Sequence, residues 1–245
     1  MMRRLFSFLA ISLLTIYLVG FETLAKADGS ASCEAKTNTL VSGFPSWSEG
    51  AHVKVFVTAS DFKSDELSAI LLPLKNWTAI SEASGSHVTF TYAGTTLEPQ
   101  ACLNCLTIMR GRVHTKNKNH AAEMHGMANL EERTIMSARI VIDPIVPNLA
   151  ALTNAVAHEM GHIFGLNDCL SCGRSTIMGG IRSSDGLDGP TACDVAQIRH
   201  VYDELRVRMV ALRKKRAQQL AAKAVRVDEG EEPIDDDTPI IAKKP

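Results

Sequence analysis

The chain of 245 residues is 45% hydrophobic and 22% charged, proportions that suit a globular protein and exclude collagen-like, coiled-coil and wholly disordered chains. Twenty-six basic residues against twenty-seven acidic ones leave a formal net charge of −1, without the basic excess of a nucleic-acid binder. No repeat with a period of about 20–50 residues is present, which removes solenoids and propellers.

Residues 1–27 read as a secretory signal. Met1-Met2-Arg3-Arg4 is a positive start, Leu5 to Phe21 is an apolar run, and Ala25-Lys26-Ala27 is a small-x-small site for cutting before Asp28. An uncleaved anchor is the alternative, since the run is slightly shorter than a span of about 20 residues. The cleavage-site residues and the lack of a second apolar run favour removal. The mature chain is then secreted or periplasmic, with no stable membrane insertion.

Export decides how the six cysteines are read. Cys33, Cys102, Cys105, Cys169, Cys172 and Cys193 all follow the cut, and an oxidising compartment favours disulfides. A local Cys169–Cys172 bridge is the expected pairing. The two C-x-x-C pairs admit a four-thiolate zinc site as the alternative.

After a polar lead-in (28–43), His52 to Thr58 alternates as a half-buried strand does. Asp61 to Ile80 carries Leu67, Ile70, Leu71, Leu74, Trp77 and Ile80 at helical spacing, with Pro73 set to bend it or mark a later start. His87 to Tyr92, Leu106 to Val113 and Ser137 to Ile142 are strand-like, and the polar stretch between the last two holds an edge strand near Glu123 to Leu130. Asn148 to Phe164 is the clearest helix, capped by Asn148 and stopped by Gly165. Leu149, Leu152, Val156, Met160 and Ile163 line one face; Ala151, Ala155, His158 and His162 line the other. Thr191 to Ala224 reads as a long helix with a Thr191/Asp194 capping box. Its basic extension (206–226) and an acidic disordered tail (227–245) read as solvated, with a partner or membrane contact as the less favoured alternative.

The chemistry is concentrated in His158-Glu159-Met160-Gly161-His162-Ile163-Phe164-Gly165-Leu166-Asn167-Asp168. Two histidines four apart on a helix point the same way and can share one zinc ion. Glu159 stands beside the first of them, placed to reach a water at the metal as general base without being a ligand. Gly165 lets the chain turn back and deliver a third ligand, Asp168. Average residue frequencies give H-E-x-x-H by chance in about one chain of this length per hundred.

This string, with Ser175-Thr176-Ile177-Met178-Gly179-Gly180 as a methionine turn, resembles the metzincin metallopeptidases, and bacterial matrixin-like members most closely. Val53 to Val57, Trp77 and the Asp194/Ile198/Tyr202 spacing of the last helix fit the same order. The resemblance spans about Phe44 to Leu205. It implies an α+β fold: a twisted, mostly parallel sheet of four or five strands with an antiparallel edge strand, a zinc helix, a Met-turn and a C-terminal helix. Matrixins have histidine as third ligand, whereas Asp168 is the snapalysin-type choice. The cysteine-switch propeptide of animal matrixins is absent, and Gly180 stands where some metzincins carry a tyrosine.

The implied function is a monomeric, secreted zinc endopeptidase acting on protein or peptide substrates. Zinc is held by His158, His162 and Asp168, Glu159 is the base, and Met178 is a packing floor. An exported binding protein on the same scaffold is the alternative, disfavoured by the retained Glu159, and a hydrolase of non-peptide bonds is a third reading. His114, His120 and His125 read as solvent-exposed rather than as a second metal site. Asp143-Pro144 and the Asp185/Asp188 loop read equally as turns or as calcium ligands.

Overall fold

The computed structural model describes residues 45–100, 102–113, 121–179 and 187–228. The signal and lead-in, His114, His120, Asp185 and the tail from 229 onward lie outside them. Period-two patterning yields the strand it requires: His52 and Lys54 of β2 (His52–Thr58) are exposed, while Val53, Val55 and Val57 are buried. The other strands are β1 (Ser46–Trp47), β3 (Thr89–Thr96), β4 (Cys105–Arg110), β5 (Ala122–Asn129) and β6 (Thr134–Ile142).

The sheet runs β1-β6-β4-β2-β3, with β5 also on β6. Every pairing is parallel except β5–β6. Because β5 and β1 both pair with Thr134 and Ile135, β1 shares the β4 side of β6 and β5 forms the opposite edge. The sheet thus has six strands, not four or five. The additional one is β1, whose two residues are too few to carry a periodic signal. The edge strand expected near Glu123 to Leu130 is β5.

Helix α1 (Ser64–Ala79) starts well before Pro73 and continues past it. A proline leaves the carbonyl four residues earlier without its helical donor. That carbonyl belongs to Ala69, and it accepts from the Thr153 hydroxyl at 3.1 Å. Thr153 lies on helix α2 (Leu149–Ile163), so the proline's cost is met by the neighbour against which α1 packs. Trp77 adds a second tie, donating from Nε1 to the Ala157 carbonyl at 3.1 Å and stacking on Phe164 at 4.8 Å.

Asn148 caps α2, its Oδ1 accepting from the Ala151 N–H at 2.9 Å. Leu152, Val156, Met160 and Ile163 are buried as expected, but Leu149 at the helix start stays 41% exposed. Ala151 and Ala155 are buried too, because α1 packs on one flank of α2 and β5 and β6 on another. Helix α3 (Ala192–Asp228) opens with the expected capping box: the Thr191 N–H donates to Asp194 Oδ2 at 2.7 Å. Ile198, Tyr202 and Leu205 dock it, and the Tyr202 hydroxyl donates to the Trp47 carbonyl at 2.9 Å.

Cys169 and Cys172 form the expected bridge, and Cys102 pairs likewise with Cys105. Each C-x-x-C pair closes on itself, which removes the four-thiolate alternative. Cys193 is disulfide-bonded as well. Among the described residues no helix is long and apolar enough to cross a membrane.

Thr153→Val keeps the shape of the side chain and removes the donor to Ala69, and should cost about 1–2 kcal/mol in urea unfolding. In a Pro73→Ala background the restored backbone N–H at that position serves the Ala69 carbonyl, so the same change should cost much less. Equal costs in both backgrounds would refute the compensation.

Candidate metal centre

His158 and His162 lie one turn apart on α2, and backbone carbonyls fix both rings. His158 Nδ1 is 2.9 Å from the Ile177 oxygen, and His162 Nδ1 is 2.8 Å from the Leu166 oxygen. A carbonyl only accepts, so each Nδ1 must carry a proton, and in the neutral ring Nε2 is the nitrogen left with a lone pair. Two imidazoles are thereby held in the tautomer that a metal ion requires.

The turn after α2 supplies the carboxylate. Gly165 has φ +83°, a conformation glycine adopts without strain, and its N–H donates back to His162 O at 2.9 Å. Three residues on, Asp168 Oδ1 lies 2.9 Å from His158 Nε2 and 3.6 Å from His162 Nε2. The Asp168 oxygen therefore faces the Nε2 atoms of both imidazoles. Donor atoms of His158, Glu159 and His162 also lie within 4.8 Å of one another, a grouping able to hold a metal ion. The structure therefore brings all four expected residues together, with two carboxylates beside two imidazoles.

Those carboxylates sit in different surroundings. Asp168 is half exposed, whereas Glu159 is buried at 6% exposure. Loss of solvent pushes the Glu159 carboxyl up to about 7; the charge of His158 opposes this and those of Asp168 and Glu123 add to it. The Met124 N–H of β5 donates to Glu159, so the edge strand touches the carboxyl directly. For His158, burial works against the charged ring, yet Asp168 and Glu159 outweigh it and hold its pKa above the ordinary value. The pocket favours a cation.

Met178 is fully buried and lies against α2 at Gly161, between the two histidines in sequence. A Cβ on Gly161 would stand 2.1 Å from the Met178 sulfur, so the helix needs glycine there for the methionine to lie against it. The turn carrying Met178 is tied from several sides. Asp194 accepts from the Ile177 N–H at 3.0 Å, from the Thr176 hydroxyl, and from the Thr191 hydroxyl at 2.8 Å. Met178 O accepts from the Cys169 N–H at 2.8 Å. Burial raises the Asp194 carboxyl above its usual range, against these donated bonds.

Sequence spacing alone gave Asp194 only a capping role; its grip on the turn depends on the chain returning from residue 177. The contacts of Glu159 with β5 were likewise not legible from spacing. Elsewhere, the Asp143 carboxylate accepts from the N–H groups of Val113 and Ile145 at 3.3 and 2.9 Å, as a turn does. His125 faces Glu123 at 3.6 Å. No metal-ligand cluster other than that around His158 is found among the described residues. No protein-family model matches this chain, and no curated protein matches its sequence.

Gly161→Ala should force Met178 off the helix and cost about 1–3 kcal/mol in chemical unfolding. Combining it with Met178→Ala should give clearly less than the sum of the two separate losses. Additive losses would show that no close contact exists.

Proposed function

We propose that the chain is an exported zinc-dependent endopeptidase of the metzincin type. The observation that carries this reading is the convergence of His158 Nε2, His162 Nε2 and Asp168 Oδ1, with buried Glu159 alongside. Two imidazoles and a carboxylate are a donor set that suits zinc. Asp168 is the better third ligand, since its oxygen already faces both Nε2 atoms. Glu159, with a carboxyl at about 7, suits proton transfer near neutral pH.

When bound at His158, His162 and Asp168, zinc acts as a Lewis acid that acidifies water and polarises a carbonyl. Glu159 takes the proton of the attacking water as its oxygen bonds to the peptide carbonyl carbon. It then returns that proton to the departing nitrogen as the C–N bond breaks. Asp168, three residues beyond the Gly165 turn, completes the donor set without lengthening the helix. The outer edge of β5, next to Glu159, offers main-chain groups with which an extended peptide can pair. The order of strands, with one antiparallel edge strand against the metal helix, agrees with the metzincin reading.

Two local disulfides are compatible with an extracytoplasmic location, and export by the residue 1–27 signal belongs to this proposal.

Purified mature protein should cleave members of a quenched-fluorescent peptide library. Glu159→Ala should lower that activity by about 10²–10⁴-fold while keeping its zinc, and His162→Ala should lose zinc and activity together. Zinc bound by wild type and Glu159→Ala alike, with no cleavage by either, would favour the non-catalytic binding protein.

A further inference from the structure

The basic stretch beyond Leu205 has no place in the chemistry above. Apolar docking of α3 thins out after Leu205: Met209 still packs against the core, but Val207, Val210 and Leu220 are 73%, 66% and 69% exposed. A groove of about 570 Å³ lies along the helix around Leu205, lined by Ser46, Arg133 and Gly165 and by Val201, Leu205, Val207 and Arg208 of α3. Beyond Met209 none of the described side chains of α3 is buried. What crosses to the domain is a pair of arginines.

Arg208 Nε donates to the Glu131 carbonyl oxygen at 2.9 Å. Eight residues later, roughly 12 Å along the axis, Arg216 spreads its fork over two neighbouring glutamates. Nη2 meets Glu131 Oε2 and Nη1 meets Glu132 Oε1, both at 3.0 Å. The proximity of Arg216 holds the Glu131 carboxyl below its usual range. Glu131 and Glu132 form the turn between β5 and β6, where the Glu132 N–H donates to Asn129 Oδ1 at 3.2 Å. That turn carries β5, an edge strand with ladder bonds only to β6 among the described residues. The other end of β5 touches Glu159 through Met124.

We propose that Arg216, assisted by Arg208, is a positioning residue that braces the β5–β6 hairpin and so fixes the edge strand beside the metal centre. Three of the eight basic residues between Arg206 and Arg226 then face inward: Arg208 and Arg216 hold the hairpin, and Arg206 pairs with Glu49 at 2.9 Å. The extension is a strut for the strand rather than a free arm. A single exposed ion pair contributes little. A forked guanidinium shared by two carboxylates does more, because past Met209 no described side chain of α3 is buried to replace it. The consequence for substrate binding rests on the peptidase reading; the ordering of the strand does not.

Amide hydrogen exchange on the full mature chain tests the brace without any substrate. In Arg216→Ala, amides of residues 122–133 should exchange about threefold to tenfold faster, while those of α1 and β2 stay unchanged. Arg216→Lys, which keeps the charge and loses the fork, should fall between. Arg213→Ala, one of the exposed bases, should match wild type. Raising salt should speed exchange of the hairpin in wild type and much less in Arg216→Ala. On a cleaved peptide, Arg216→Ala should raise KM severalfold and leave kcat nearly unchanged. Unchanged hairpin exchange in Arg216→Ala would overturn the brace, and faster exchange with unaltered KM would overturn its role in substrate positioning. If wild type cleaves nothing, the peptidase reading fails, and the exchange data still decide whether Arg216 orders the strand.

Discussion

The backbone of Ile177 is gripped at both ends, and the centre depends on that grip. Its N–H is held by the buried carboxylate of Asp194 and its carbonyl holds Nδ1 of His158. One residue therefore links the first turn of α3 to the tautomer of the first imidazole. The Leu166 carbonyl does the same for His162 from the opposite side of the turn. Without these two carbonyls the rings would be free to rotate or to exchange tautomers, and their lone pairs would not meet. The candidate metal site is in this sense a backbone structure that happens to display two imidazoles.

A second constraint separates the roles of the carboxylates. Asp168 arrives from a loop at the surface and keeps contact with solvent, whereas Glu159 is carried on the buried flank of α2 against β5. Burial penalises a charged carboxylate, so Glu159 holds its proton more tightly than an ordinary glutamate does. Chemically similar groups are thereby placed in different surroundings, one buried and one half exposed. The same burial makes β5 part of the centre, since it contributes an N–H to Glu159, while its ladder bonds among the described residues run to β6 alone.

Much of this was legible in the residues because it is local. The spacing of His158 and His162, the stop at Gly165 and the return to Asp168 are features of one helix and one turn. Val53, Val55 and Val57 marked β2 by alternation, and Asn148 and Thr191 marked two helix starts by their caps. What could not be read is non-local. Ala69 needs a donor because of Pro73, but nothing in the helix says that Thr153, 84 positions away, provides it. Strand β1 consists of two residues that are strand only by virtue of β6. Gly161 looks like a mild flaw in a helix until the Met178 sulfur is found against it. The arginines of α3 looked like a solvated face because their glutamate partners lie 77 to 85 positions earlier.

The central claim is that two imidazoles and one carboxylate, oriented by the backbone, form a zinc site. X-ray absorption on the zinc-loaded mature protein tests it most directly. The account predicts two imidazole nitrogens near 2.0–2.1 Å, oxygen ligands completing the shell and no sulfur. Asp168→Asn should weaken binding while keeping both imidazoles. Sulfur scattering near 2.3 Å, or fewer than two imidazoles, would contradict it.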